Sequence, residues 1–221
     1  MQEFEVIGSN QIKINYDGTT VSLLINKNVH TILVNGPYQV AENFFYINFK
    51  SNIFFLKDLE DIDYELDELS LSKINTFLEN FETGKYCVYK FSGNSDIIES
   101  VNNNLCNLYI SHENNRIIIQ TNPISNLNKD KINFYKEKII KGESPIIFLY
   151  SKTYSGAELE HIFFVIQGNE ILKAYQDLNV EPKFIAMVNV SQTEYENLNQ
   201  AILKIISSHK EIKETSFKYF Y

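Results

Sequence analysis

The chain has 221 residues, 44% of them hydrophobic, and 28 acidic against 20 basic side chains for a net charge of −8. That is enough apolar material for one large domain or two small ones, and an acidic balance that repels nucleic-acid phosphates. Two cysteines exclude a disulfide framework and a Cys-x-x-Cys zinc site, and eight scattered glycines without Gly-x-Gly-x-x-Gly or Gly-Lys-Ser/Thr exclude the common phosphate loops.

The first 57 residues alternate polar and apolar at period two in Phe4/Val6, Ile12/Ile14/Tyr16, Val21/Leu23/Ile25, Ile32/Val34 and Phe45/Ile47/Phe49. Asp17-Gly18, Asn26-Lys27-Asn28 and Asn35-Gly36-Pro37 punctuate the runs, and Lys50-Ser51-Asn52 leads into Ile53–Leu56. This pattern predicts an N-terminal antiparallel β meander over 1–57. The opening residues are acidic and alternate at once. They lack the charged and then apolar character of an export signal, and no apolar run approaches the roughly 20 residues of a membrane span, so the expectation is a cytoplasmic protein without a membrane partner.

Residues 58–85 follow with nine acids against Lys73 and Lys85, a local charge of −7. Asp58, Glu60, Asp61, Asp63, Glu65, Asp67 and Glu68 place seven carboxylates in eleven positions, while Ile62, Leu66 and Leu69 recur at helical spacing. A second stripe, Ile74, Phe77, Leu78 and Phe81, is rotated from the first, and Ser70 and Ser72 are candidate caps between them. The reading is an acidic helical segment of two helices or one bent one, closed by Thr83-Gly84.

From Tyr86 the signals run strand (87–91), short helix (95–101), strand (105–110), strand (117–120), helix (130–140) and strand (146–150). This is the βαββαβ order of ferredoxin-like modules. Residues 151–160 read as a polar loop. His161–Gln167, Ile171–Tyr175 and Phe184–Val190 read as strands, with a turn at Gly168-Asn169. Ser191-Gln-Thr-Glu194 is a capping box for a last helix, and Ser216–Tyr221 a closing strand. The fold class is therefore α+β, with units at 1–57, 58–85 and 86–221 or a single compact domain.

Three chemistries compete. Cys106 and His161 form a nucleophile and base pair only if the cysteine meets a helix N-terminus; the placement of His161 at the head of an apolar strand resembles that of the general base in papain-like and cell-wall cysteine peptidases, but Cys106 itself opens a strand pattern. The four histidines are far apart, and the acidic run lacks the glycine of a calcium loop, so neither a metal nor a cofactor is expected. The lysines of 129–141 are offset by Asp130 and Glu137 and read as a solvated face. The acidic run also has a solvated reading. Against it stand the repulsion between Asp61/Glu65 and Asp63/Asp67, and the adjacent aromatic residues Tyr64, Phe44–Tyr46 and Phe54-Phe55, which supply apolar anchors for a charged rim.

In its small size, acidity, aromatic content and lack of motifs the chain resembles bacterial immunity proteins and phage anti-defence inhibitors. The likeness is one of profile; the acidic run itself leads to the expectation of a non-enzymatic module that binds and neutralises or scaffolds a basic protein partner through Asp58, Glu60, Asp61, Asp63, Tyr64, Glu65, Asp67 and Glu68. A cysteine hydrolase or transferase using Cys106 and His161, and a structural subunit of a phage or secretion apparatus, are the alternatives.

Overall fold

The computed structural model describes residues 1–16, 20–34, 43–47, 59, 62, 64–92, 95–98, 106–108, 116–153 and 162–190. Among these, two sheets and three helices build an α+β fold. A seven-stranded mixed sheet contains β1 (Gln2–Val6), β6 (Gly84–Ser92), β7 (Asp96–Ile98), β9 (Ile117–Ile119), β10 (Ile146–Lys152), β11 (Ile162–Gln167) and β12 (Lys183–Asn189) in the order β1-β6-β12-β10-β11-β9-β7. A five-stranded sheet holds β2 (Ile12–Tyr16), β3 (Thr20–Ile25), β4 (Asn28–Val34), β5 (Asn43–Ile47) and β8 (Cys106–Leu108) in chain order. The helices are α1 (Glu68–Leu78), α2 (Lys129–Ile140) and α3 (Asn169–Leu178).

The expected meander is present from β2 to β5, and Asn26 and Lys27, both at positive φ, make the tight turn between β3 and β4. Pairing crosses the expected unit boundaries at both ends. β1 leaves the meander for β6, and β8 joins β5.

Alternation of side chains across the large sheet separates two cores. On one face Tyr86, Val88, Phe148, Tyr150, Phe164, Ile185 and Met187 pack with Ile12, Ile14 and Leu23 of the small sheet and with Ile74, Phe77 and Leu78 of α1. On the other face Phe91, Ile147, Leu149, Phe163, Val165, Phe184 and Ala186 pack with Ile139 of α2 and Ile171, Leu172 and Tyr175 of α3. The large sheet is thus a middle layer, buried on both faces.

This sheet is curled. The four-residue step from Ser92 to Asp96 spans at most about 14 Å, whereas five strand spacings in a flat sheet would separate β6 from β7 by about 24 Å. The edge carrying β7 therefore returns toward β6, and side chains record it. The Arg116 guanidinium, just before β9, lies 4.3 Å from the Phe91 ring centre, and the Phe91 and Phe163 rings are 5.7 Å apart. The concave face is the one that carries α2 and α3.

Several sequence expectations are corrected. Asp96–Ile98 is a strand parallel to β9 where the first ferredoxin-like helix was expected, so the described order from residue 84 to 152 is four strands, a helix and a strand. Ile171–Tyr175 belongs to α3, not to a strand. Its residues run Ile, Leu, Lys, Ala, Tyr, and Ile171, Leu172, Ala174 and Tyr175 are buried while Lys173 is not, a helical rather than a two-fold pattern. Gly168 at φ 100 starts that helix, and a Cβ there would meet the Ile147 backbone at 3.3 Å. Ser151 and Lys152, read as loop, end β10 and are buried. Helix α1 ends at Leu78, and Gly84 opens β6 instead of closing the helix. The capping box at 191–194, the last helix and the strand at 216–221 lie outside the described residues, as do residues 50–56.

One buried base makes the fold pH-sensitive. His30 in β4 is only 2% exposed, its Nδ1 lies 2.7 Å from Thr31 Oγ1, and burial lowers its pKa from 6.5 to about 4. The unfolded chain takes up this proton first as the pH falls. His30 therefore contributes fully above about pH 6.5, and the contribution is lost down to about pH 4, a swing of about 3 kcal/mol. Denaturant titrations at pH 7 and 4.5 will show that swing diminished in His30→Gln. An equal acid sensitivity in both proteins would contradict it.

Candidate functional site

The acidic segment enters the fold through its apolar residues. Leu59 and Ile62 are 2% and 8% exposed and belong to the core between the two sheets, with Tyr64 and Leu66 packed against it. The helix expected through Ile62, Leu66 and Leu69 does not form over the described part of that run. Tyr64 and Glu65 make a turn, Leu66 sits at φ 57, Asp67 is extended, and α1 begins only at Glu68. Leu69, expected on the buried stripe, is 64% exposed. The physical reason is twofold. A continuous helix would stack Asp63 over Asp67, and breaking it frees Asp67 to cap α1, its Oδ1 accepting from Ser70 N–H at 2.8 Å. Hydrogen bonds from the Ser70 side chain and then from its backbone hold the Asp67 carboxyl below the usual carboxylate range. Asp67, not Ser70 or Ser72, is the cap.

Two more of the singled-out residues are engaged within the chain. Lys90 Nζ donates to Glu65 Oε2 at 2.6 Å, and the Tyr64 ring lies 5.0 Å from Lys90 Nζ and 5.7 Å from Lys183 Nζ. Lys90 and Lys183 stand on neighbouring strands β6 and β12, so this cation–π and ion-pair clamp fixes the end of the acidic run to the large sheet. Glu68 is exposed in the first turn of α1, where a carboxylate also complements the helix dipole. Asp58, Glu60, Asp61 and Asp63 lie outside the described residues. So does His161. Cys106 opens β8 opposite Phe45, at the head of a strand and not at a helix N-terminus.

A polar cluster unforeseen from the sequence lies inside the same core. Glu82, between α1 and β6, accepts from Tyr150 Oη at 2.7 Å through Oε1 and from Lys152 Nζ at 2.6 Å through Oε2. Tyr86 Oη donates to the Glu82 carbonyl at 2.7 Å and lies 3.3 Å from Asn189 Nδ2. Burial, reinforced by the Glu82 charge, holds the phenols of Tyr86 and Tyr150 well above their ordinary pKa. The Lys152 side chain is 0% exposed, so the cluster is closed to substrate and its role is structural: it ties the α1–β6 connection to the ends of β10 and β12. One signal could have found it. Phe148, Tyr150 and Lys152 share a strand face, which directs the lysine inward.

The curl of the large sheet leaves a cleft of about 440 Å³ between β7, the end of α3 and the entry to β12. Ile97, Tyr175 and Phe184 are among its apolar walls, Ser95 and Gln176 supply polar atoms, and Glu181 stands at one side. Reading Ile171–Tyr175 as a strand concealed this site, because Gln176 then follows a strand instead of facing β7 from a helix.

No protein-family model, curated protein or solved structure matches the chain. The fold itself defines the class: an α+β protein whose curled mixed sheet is sandwiched between a five-stranded sheet with one helix and a pair of helices. Among the described residues, no helix is long and apolar enough to cross a membrane, and no group of three or more His, Cys, Asp or Glu is placed to hold a metal.

Proposed function

We propose that this is a non-enzymatic module of the immunity-protein or inhibitor type, which binds a basic protein partner through the acidic segment 58–68. The observation that supports this reading is that seven carboxylates fall within eleven residues of a segment whose described members are tied to the fold: Leu59 and Ile62 in the core, Tyr64 and Glu65 against Lys90, and Asp67 as the α1 cap. An acidic run that only solubilised the surface would not need three kinds of anchor. Fixing a charged ligand before binding lowers the ordering cost of association.

In this reading the run has a division of labour. Glu65 and Asp67 are engaged internally and act as anchors. Asp58, Glu60, Asp61, Asp63 and Glu68 are the partner-contacting charges in this reading, with exposed Leu69 an apolar contact beside them.

The test is charge reversal that spares the anchors. A partner is captured from host lysate, and its association is measured by surface plasmon resonance with the parent protein and with the Asp61→Lys, Asp63→Lys, Glu68→Lys variant. Association is expected to slow by about tenfold or more at low salt and to lose most of its salt dependence. Cys106→Ala, run alongside, is expected to bind like the parent. Unchanged low-salt affinity of the reversed protein would rule the reading out.

A further inference from the structure

We propose that Lys152 and Asn189 join through their side chains in an intramolecular isopeptide bond, with Glu82 as the proton carrier. The buried cluster brings together the three groups such a bond needs: a primary amine, a carboxamide and a carboxylate. Lys152 and Asn189 are register partners on the parallel strands β10 and β12, and Asn189 is in turn opposite Tyr86 on β6. The three residues therefore stand in one row across three neighbouring strands, with their side chains on one face of the sheet. Neighbouring strands lie about 4.8 Å apart, less than the length of a lysine side chain, so the Lys152 amine has the reach to meet the Asn189 carboxamide.

The surroundings of the row suit that reaction. Lys152 Nζ donates to Glu82 Oε2 at 2.6 Å, which gives the amine a base to take its proton. Tyr150 Oη donates to the other carboxylate oxygen at 2.7 Å, and Asn189 Nδ2 donates to Tyr86 Oη at 3.3 Å, so both the carboxylate and the amide are held in place. The Lys152 side chain is 0% exposed and Asn189 is 1% exposed, and the rings of Phe81, Tyr86 and Tyr150 pack together in the same core. Water, the competing nucleophile, is kept from the amide. Amine and amide held abreast also react at an effective concentration far above any reached in solution.

The atoms balance with no outside reagent. Glu82 takes one proton from the Lys152 ammonium, and the amine lone pair attacks Asn189 Cγ. The carboxyl group hands that proton to Nδ2 as the Cγ–Nδ2 bond breaks, and ammonia leaves. Glu82 then takes the second proton from the Lys152 nitrogen, which keeps one N–H in the new amide, and ends as a neutral carboxylic acid. The product exchanges a desolvated ion pair for neutral hydrogen-bonding groups, which removes the cost of holding two charges out of water. It also closes residues 152–189, with β11 and α3 among them, into a covalent loop that pins β10 to β12. Until the bond forms, the cluster is the ion pair seen in the structure.

Mass spectrometry tests this on the full chain, kept folded at neutral pH and then weighed intact under denaturing, reducing conditions. The expected mass is below the sequence mass by one ammonia, and a protease digest is expected to show the peptides carrying Lys152 and Asn189 joined. Lys152→Arg keeps a cation beside Glu82 but has no primary amine, and Glu82→Gln keeps the shape but cannot carry the proton. Both variants are expected to keep the full mass of their sequences. A parent protein at full sequence mass would overturn the proposal. So would an ammonia loss with the two peptides separate, as a succinimide elsewhere would leave them, or a joined pair in either variant. Where a variant does not fold, the presence or absence of the joined peptides in the parent protein decides.

Discussion

Replacing Lys152 by methionine will destabilise the protein by about 3–5 kcal/mol, because it strands the Glu82 carboxylate inside the core with only Tyr150 as a side-chain donor. The magnitude follows from burial. Lys152 and Glu82 are 3% and 7% exposed, so the carboxylate left behind has little water to replace the ammonium. The double variant Lys152→Met, Glu82→Leu is expected to recover most of the loss, since replacing both members of a buried pair by apolar groups is often neutral or better. Urea unfolding of the two variants decides the matter: a double variant as unstable as the single one would mean that the pair itself, and not the uncompensated charge, carries the energy. The cluster is in any case weak as a source of net stability.

Phe81→Ala is the second large effect, about 3–5 kcal/mol by loss of a fully buried aromatic. Phe81 follows α1, and its ring lies 4.6 Å from Tyr150, 5.2 Å from Phe77 and 6.2 Å from Tyr86, all edge-on. Its backbone is equally committed. Asn10 N–H donates to the Phe81 carbonyl at 2.9 Å, and a Cβ at Gly8 would fall 1.9 Å from that oxygen, so residue 8 must be glycine for the chains to cross this closely. The residue therefore joins α1, the approach to β2 and the middle sheet. Thermal unfolding will show the loss, and Phe81→Leu is expected to be milder because it keeps most of the volume. A loss below about 1 kcal/mol for the alanine variant would show that the site collapses around the missing ring.

Much of the architecture is legible from local pattern. The alternation in Ile12–Tyr16 and Val21–Ile25, the turn at Asn26-Lys27 and the apolar runs of β10, β11 and β12 all appear as read, and so does α2, whose start is marked by Asn128 capping Asp130 and Lys131. These elements are local in origin, set by period, turn chemistry or a cap within a few residues. The errors fall where long-range partners outweigh local preference. Asp96–Ile98 has too few residues to declare itself and becomes a strand because β9 offers it an edge. Leu66 and Leu69 share helical spacing with Ile62, yet the chain breaks between them because Asp67 caps α1 and Lys90 holds Glu65 against the sheet.

The candidate site divides the same way. Composition and order alone determined that the negative charge is concentrated in residues 58–85, that common phosphate and zinc motifs are missing, and that the class is α+β, since each is a property of residue types and near neighbours. Tertiary structure alone decided which of those carboxylates meet a lysine far along the chain: Glu65 meets Lys90 and Glu82 meets Lys152. It also decided that a sheet forced to curl by the short link after Ser92 opens a cleft beside α3. Charge counts along a chain, but neutralisation depends on residues 25 to 70 positions apart meeting in space.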